Sequence, residues 1–108
     1  MGKSSRDKGK RGERELANAL REYGFDSRRG VQYHGGADSP DVTGLPGVHI
    51  ECKRTEALRL YDALGQSARD AAPGEMPVVM HRKNGGEWVV IQPLSDWIRL
   101  YRQGSDDE

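Results

Sequence analysis

The run Val48-His49-Ile50-Glu51-Cys52-Lys53-Arg54 alternates apolar and polar residues, and that period suits a strand with one face in a core. Val48, Ile50 and Cys52 are expected to point inward, leaving His49, Glu51 and Lys53 together on the other face. A carboxylate and an ammonium are then held side by side. Gly44, Pro46 and Gly47 lie just upstream and supply turn chemistry, so a hairpin is expected to bring Asp41 back beside Glu51. Two carboxylates and a lysine at one strand end make a candidate magnesium site, because that cation takes oxygen ligands and keeps several waters.

Residues 1–8 hold Gly2, Ser4 and Ser5 among alternating charges, and a flexible basic segment is expected there. Over residues 10–23 the pattern turns helical. Leu16, Leu20 and Tyr23 recur on one face, Ala17 and Ala19 assist, and Gly24 is placed to close the helix. Glu13 starts the same stripe; it is either a charge favoured by the helix dipole or a side chain aimed at the strand site. Residues 25–31 are expected to form a short strand in which Arg28 and Arg29 face opposite ways. Periodicity leaves open which of the two meets a phosphate. A glycine-rich loop follows with Tyr33 and His34, the histidine read as an exposed loop residue without a catalytic role.

Residues 41–43 and 48–54 form the hairpin strands. Leu60, Ala63, Leu64, Ser67, Ala68 and Ala71 predict a helix over 55–72 that packs closely on a sheet. Gln66 falls at the edge of that stripe, either exposed or reaching substrate. Residues 77–82 and 88–91, around Asn84-Gly85-Gly86, read as a second hairpin. Leu94, Trp97, Ile98 and Tyr101 place a last helix to about residue 102, its stripe read as core, with a subunit contact as the other reading. The order describes an α/β domain with a central mixed β-sheet of about five strands flanked by helices, antiparallel where strands adjoin and parallel where the 55–72 helix crosses over. Residues 9–102 are expected to be that single domain, and 103–108 an acidic disordered tail.

One core is what 108 residues allow, since a chain of this size buries only about two thirds of its unfolded surface. Cys52 is the single cysteine, which excludes an intrachain disulfide and a cysteine zinc cluster and suits a cytoplasmic setting. Apolar runs fall short of the roughly 18 residues of a membrane span, and the first residues are charged where a secretion signal would be apolar, so no membrane partner is expected. The net charge is zero, but it is unevenly spread. Lys3, Arg6, Lys8, Lys10, Arg11, Arg14, Arg21, Arg28 and Arg29 crowd the front, while Asp106-Asp107-Glu108 ends the chain. A basic front suits a polyanionic partner, although any one of these residues reads equally as a solvated surface charge.

Pro40-Asp41 followed ten residues later by Glu51-Cys52-Lys53 resembles the PD-(D/E)XK nuclease signature. More narrowly, Lys8-Gly9, then Glu13-Arg14-Glu15-Leu16, then Gly24-Phe25 with Arg29, resembles the archaeal Holliday junction resolvases and their phage relatives, over about residues 8–92. The resemblance implies a restriction-endonuclease-like core. Asp41 and Glu51, with the backbone carbonyl of Cys52, would bind Mg2+, for which Mn2+ would substitute. Lys53 would orient or deprotonate the attacking water, Glu13 would add a metal or water ligand, and Arg14 and Arg29 would contact phosphates. Lys8, Lys10, Arg11, Arg28, Arg54 and Gln66 complete the expected DNA surface. The chain departs from the pattern in its short Asp41–Glu51 connection, in Arg28 beside Arg29, and in Gly30 where a small polar residue is usual.

A phosphodiester repels nucleophiles with its own charge. An ion held by Asp41 and Glu51 would neutralise that charge and acidify a bound water, while Lys53 would stabilise the developing charge. Glu51 and Lys53 alone would read as an exposed charged strand face; Asp41, Glu13 and Arg29 in order displace that reading. The expected function is a magnesium-dependent endodeoxyribonuclease acting on branched DNA, in particular four-way junctions, as a homodimer matching their two-fold symmetry. It would work in the cytoplasm, or in the host cytoplasm if phage-encoded. A nicking, flap or nonspecific DNA nuclease of the same fold is one alternative. A non-catalytic DNA-binding module is another, although a polyanion binder gains nothing from three carboxylates at the contact.

Overall fold

A computed structural model describes residues 2–30 and 40–106, with side chains from residue 8 to residue 105. The loop expected around Tyr33 and His34 lies outside the described residues, as do Asp107 and Glu108. The elements are α1 (Gly2–Glu22), β1 (Arg28–Arg29), β2 (Val42–Thr43), β3 (Val48–Arg54), α2 (Leu60–Asp70), β4 (Met76–Arg82), β5 (Val89–Ile91) and α3 (Leu94–Asp106). They build a five-stranded mixed sheet in the order β1-β2-β3-β4-β5, the α/β architecture of a restriction-endonuclease-like core. Only the β3–β4 pair is parallel, with Ile50 opposite Val78, because α2 carries the chain back over the sheet between those strands. No helix among the described residues is long and apolar enough to cross a membrane.

α1 begins at Gly2 rather than near Lys10. Its end follows the sequence closely: Gly24 takes φ +100°, its N–H donates to Arg21 O at 2.9 Å, and the Phe25 N–H donates to Leu20 O at 3.2 Å. Those two bonds are a Schellman closure, which needs the left-handed conformation glycine tolerates. Tyr23 falls past the helix and is exposed rather than inward. Leu16 and Ala17 of α1 pack on Val42, Ile50, Val78 and Met80, with Leu20, Val48 and Cys52 around them. This is the inward face of β3 that the alternation predicts.

The opposite face of β3 is not open. α2 covers it with Ala63 and Ser67, and His49 is fully buried there beside an almost fully buried Glu51. Ser67 Oγ sits 3.0 Å from Val78 O and 3.3 Å from His49 O, so its hydroxyl donates into the parallel pair while its small size lets the helix approach. α2 starts at Leu60 instead of residue 55. The preceding segment is held as a loop, with the His81 ring 2.7 Å from Thr55 O and the Thr55 hydroxyl donating to Ala57 O at 3.2 Å.

α3 overturns the reading of its stripe as core. Leu94, Trp97, Leu100 and Tyr101 are exposed, and Trp97 stacks on Tyr101 with ring centres 5.5 Å apart. The helix also runs beyond residue 102 to Asp106.

Gly30 accounts for one departure from the family pattern. A Cβ there would lie 2.0 Å from Pro40 O, while the Gly30 N–H donates to Asp41 O at 2.8 Å. The chain past β1 is pressed against the Pro40-Asp41 peptide, and no side chain fits between them. Gly30→Ala is expected to cost about 1–3 kcal/mol in urea denaturation. Gly9→Ala, in α1 with nothing within 4 Å of the added methyl, should instead gain up to about 1 kcal/mol.

Candidate active site

Asp41 immediately precedes β2 and is fastened to β3 twice. Its N–H donates to Ile50 O at 2.9 Å, and its Oδ2 accepts the Cys52 N–H at 2.8 Å. The Val42–Ile50 register therefore continues to set Asp41 beside Glu51. On Glu51 the Oε2 atom lies 3.5 Å from Lys53 Nζ, with the lysine one-third exposed. The hairpin expected from the sequence thus brings Asp41, Glu51 and Lys53 to one place. α1 approaches from the other side of the sheet with Glu13, whose Oε1 accepts the Arg29 Nε–H at 2.9 Å. Glu13 and Arg29 are paired with each other.

The acids crowd one another. Burial raises the Asp41 carboxyl, the Cys52 N–H opposes that, and Glu13 raises it further. Burial followed by the Asp41 charge lifts Glu51 from an ordinary 4.5 to about 7, against the pull of Lys53. Burial likewise pushes the Cys52 thiol far up, so the side chain is a neutral core group and not a thiolate. Carboxylates raised by burial and by each other lack compensating positive charge. A hard divalent cation supplies that charge through oxygen ligands, and the donor set fits one.

Among the described residues one group of three brings its ligand atoms within 4.8 Å of one another, and it consists of His49, Glu51 and Asp70. It contains Glu51 but neither Asp41 nor Glu13. Sequence reasoning placed His49 on the Glu51 face without giving it a role, and it did not single out Asp70. The spacing of His49 two residues before Glu51 was the available signal.

Among the described residues the basic side chains divide into exposed and occupied ones. Lys8, Lys10, Arg11 and Arg14 are exposed on α1, and Arg28 is exposed with Asp26 at 3.5 Å. Arg54 is occupied: its Nε lies 3.2 Å from Glu15 Oε1 and its Nη1 4.0 Å from Glu56, while Arg82 binds the same Glu15. Gln66 is exposed on α2 and lines a shallow cleft with Lys53, Thr55, Arg59 and Arg69. Arg59 and Arg69 were not read as site residues, because outward arginines on a helix look like ordinary surface.

An acid-bearing helix across a mixed sheet, with carboxylates and a lysine gathered where two of its strands part, is compatible with a nuclease of the restriction-endonuclease-like kind. The family model described as archaeal Holliday junction resolvase (Hjc) matches residues 4–104, and the chain belongs to that family. No curated protein and no solved structure matches it. Members of this family are nucleases that resolve DNA junctions.

The raised Glu51 carboxyl fixes a sign. Between 4.5 and about 7 the folded chain holds a proton that the unfolded chain has released, so this group lowers stability as pH climbs through that window. Glu51→Gln removes the penalty. Urea denaturation without added metal should find the variant more stable than wild type at pH 8, by roughly 2–3 kcal/mol at most, and the difference should nearly vanish at pH 4.5.

Proposed function

We propose that this protein is a magnesium-dependent endodeoxyribonuclease that hydrolyses phosphodiester bonds in branched DNA at four-way junctions, acting as a homodimer. The observation that carries the reading is the Asp41 carboxylate bound by the Cys52 N–H at 2.8 Å, next to a Glu51–Lys53 pair at 3.5 Å. Asp41, Glu51 and the Cys52 carbonyl would hold the ion. Residues of a strand turn their N–H and C=O to the same edge, and the Cys52 N–H already faces the edge where β2 has ended. When bound there, Mg2+ supplies charge for the phosphate and acidifies a water.

The remaining work falls to side chains. Lys53 Nζ, held by Glu51 yet one-third exposed, orients the attacking water and stabilises negative charge on the phosphoryl oxygens. The hydrogen bond from the Cys52 backbone N–H keeps the Asp41 carboxylate in one rotamer while substrate arrives. Arg29 serves first by positioning Glu13; a phosphate that draws Arg29 away would release Glu13 toward Asp41. Lys8, Lys10, Arg11 and Arg14 on α1, with Arg28, supply the long-range attraction that three acids alone would oppose. The cleft of Lys53, Arg59, Gln66 and Arg69 suits a strand passing over α2. Arg54, tied to Glu15, contributes by bracing α1 against β3.

A second copy is the occupant proposed for α3. Its aromatic stripe packs on little of its own chain, with Leu94 at 73% and Tyr101 at 62% exposure, and Val89 and Val90 of β5 are exposed as well. Two-fold symmetric substrates call for two sites related by the same symmetry.

Cleavage of a synthetic four-way junction with Mg2+ should fall at least a hundredfold in Asp41→Asn and in Lys53→Ala while junction binding persists. Unchanged cutting in either variant overturns the site. Preferential cutting of flap, nicked or single-stranded DNA over the junction would move the protein to another substrate class. Light scattering should find a dimer at micromolar concentration and a monomer for Trp97→Glu.

A further inference from the structure

We propose that His49, Glu51 and Asp70 form a second cation site, one for a first-row transition ion such as Zn2+, lying under α2 and sharing Glu51 with the Asp41 site. It needs no assumption about nuclease activity. Its starting point is an unsatisfied buried side chain. His49 is 0% exposed, and among the described residues neither ring nitrogen has a hydrogen-bond partner. An imidazole in that state has lost water at both polar atoms and gained nothing in exchange, which is costly for each unmade bond. A metal ion is one of the few partners that reverses it.

The surroundings supply the rest of a coordination shell. One ligand atom each from His49, Glu51 and Asp70 already lies within 4.8 Å of the others. Three ligands around zinc at about 2.0–2.1 Å stand roughly 3.4 Å apart, so the cluster closes by a modest contraction. Asp70 can provide it, being the last residue of α2 and only half-buried. His49 Nδ1 lies 3.7 Å from Glu75 Oε1, so Nε2 would be the nitrogen offered to the ion. A carboxylate behind a metal-bound histidine fixes its tautomer and strengthens it as a ligand. Glu75 is itself anchored, accepting the Ala72 N–H at 2.7 Å.

The donor set chooses the ion. A nitrogen and two carboxylates favour zinc and its neighbours, whereas magnesium prefers oxygen alone. Glu51 would then stand between two cations of different character, the hard one toward Asp41 and the softer one toward His49.

The test uses the full chain without DNA, so it fails or succeeds separately from the nuclease reading. Zn2+ is titrated calorimetrically into Asp41→Asn, which disables the neighbouring oxygen site, and into that variant carrying also Asp70→Asn or His49→Gln. One Zn2+ per chain is expected in the first, with affinity at least tenfold weaker in the others. Imidazole 15N spectra of the wild-type chain should show one ring nitrogen of His49 shifting on zinc addition, and this readout stands even if His49→Gln fails to fold. An affinity unaltered by Asp70→Asn, or a His49 resonance unmoved by zinc, overturns the proposal.

Discussion

The structure turns on one hydrogen bond, from the Cys52 amide to the Asp41 carboxylate at 2.8 Å. β2 is two residues long and ends beside a seven-residue β3, so the inner strand would lose its backbone partners at that point. An unpaired buried amide is costly. The carboxylate takes the place of the missing strand and fastens itself beside Glu51 in doing so. The same device that ends a ladder thus assembles a charged site. The close approach of Gly30 to Pro40 holds the peptide that carries Asp41 from behind, which makes the placement a property of the backbone rather than of a mobile side chain.

The acids of α1 show how a chain with no net charge keeps its cations in different states. Glu13 and Glu15 are both half-buried on α1. Glu13 takes Arg29, and Glu15 takes Arg54 and Arg82 together, joining α1 to the ends of β3 and β4. These pairs are partly buried, and their worth lies in geometry more than in stability. Removing them from the tally leaves the exposed arginines and lysines of α1 and the α2 cleft. Zero net charge is therefore compatible with a surface that attracts a polyanion.

Much of this was legible in the residues, and the failures share a cause. The run from Val48 to Arg54 announces a strand because its period is two and a glycine-proline turn precedes it, and the pairing with Asp41 follows from turn length. Small residues along α2 announce close packing, and the parallel crossover follows from chain order. Alternation could say that His49 and Glu51 share a face; it could not say that α2 would lie on that face and bury them. The stripe of α3 posed the same difficulty. An amphipathic pattern states that a face needs cover, while whether the cover comes from this chain or another is decided by surfaces far away in sequence. The shortened start of α2 likewise depends on the His81 contact with Thr55 O, a tertiary bond without local trace. Arg54 reads as an available cation until Glu15, thirty-nine positions away, is placed against it.

Glu51 is where these constraints meet. Asp41, His49 and Asp70 all stand near it, and Lys53 at 3.5 Å is a single cation among several acids. A lone lysine cannot neutralise them, so the unliganded site relieves the crowding by retaining a proton near neutral pH. That proton, Lys53 and any divalent ion compete for the same oxygens. On the proposed function a DNA phosphate would bring more negative charge to the same place, and its approach would become favourable once an ion had displaced the proton and reversed the local field. On the proposed reading ion binding would precede strand binding, an order that would follow from a buried carboxylate having too few positive neighbours rather than from any feature of the DNA.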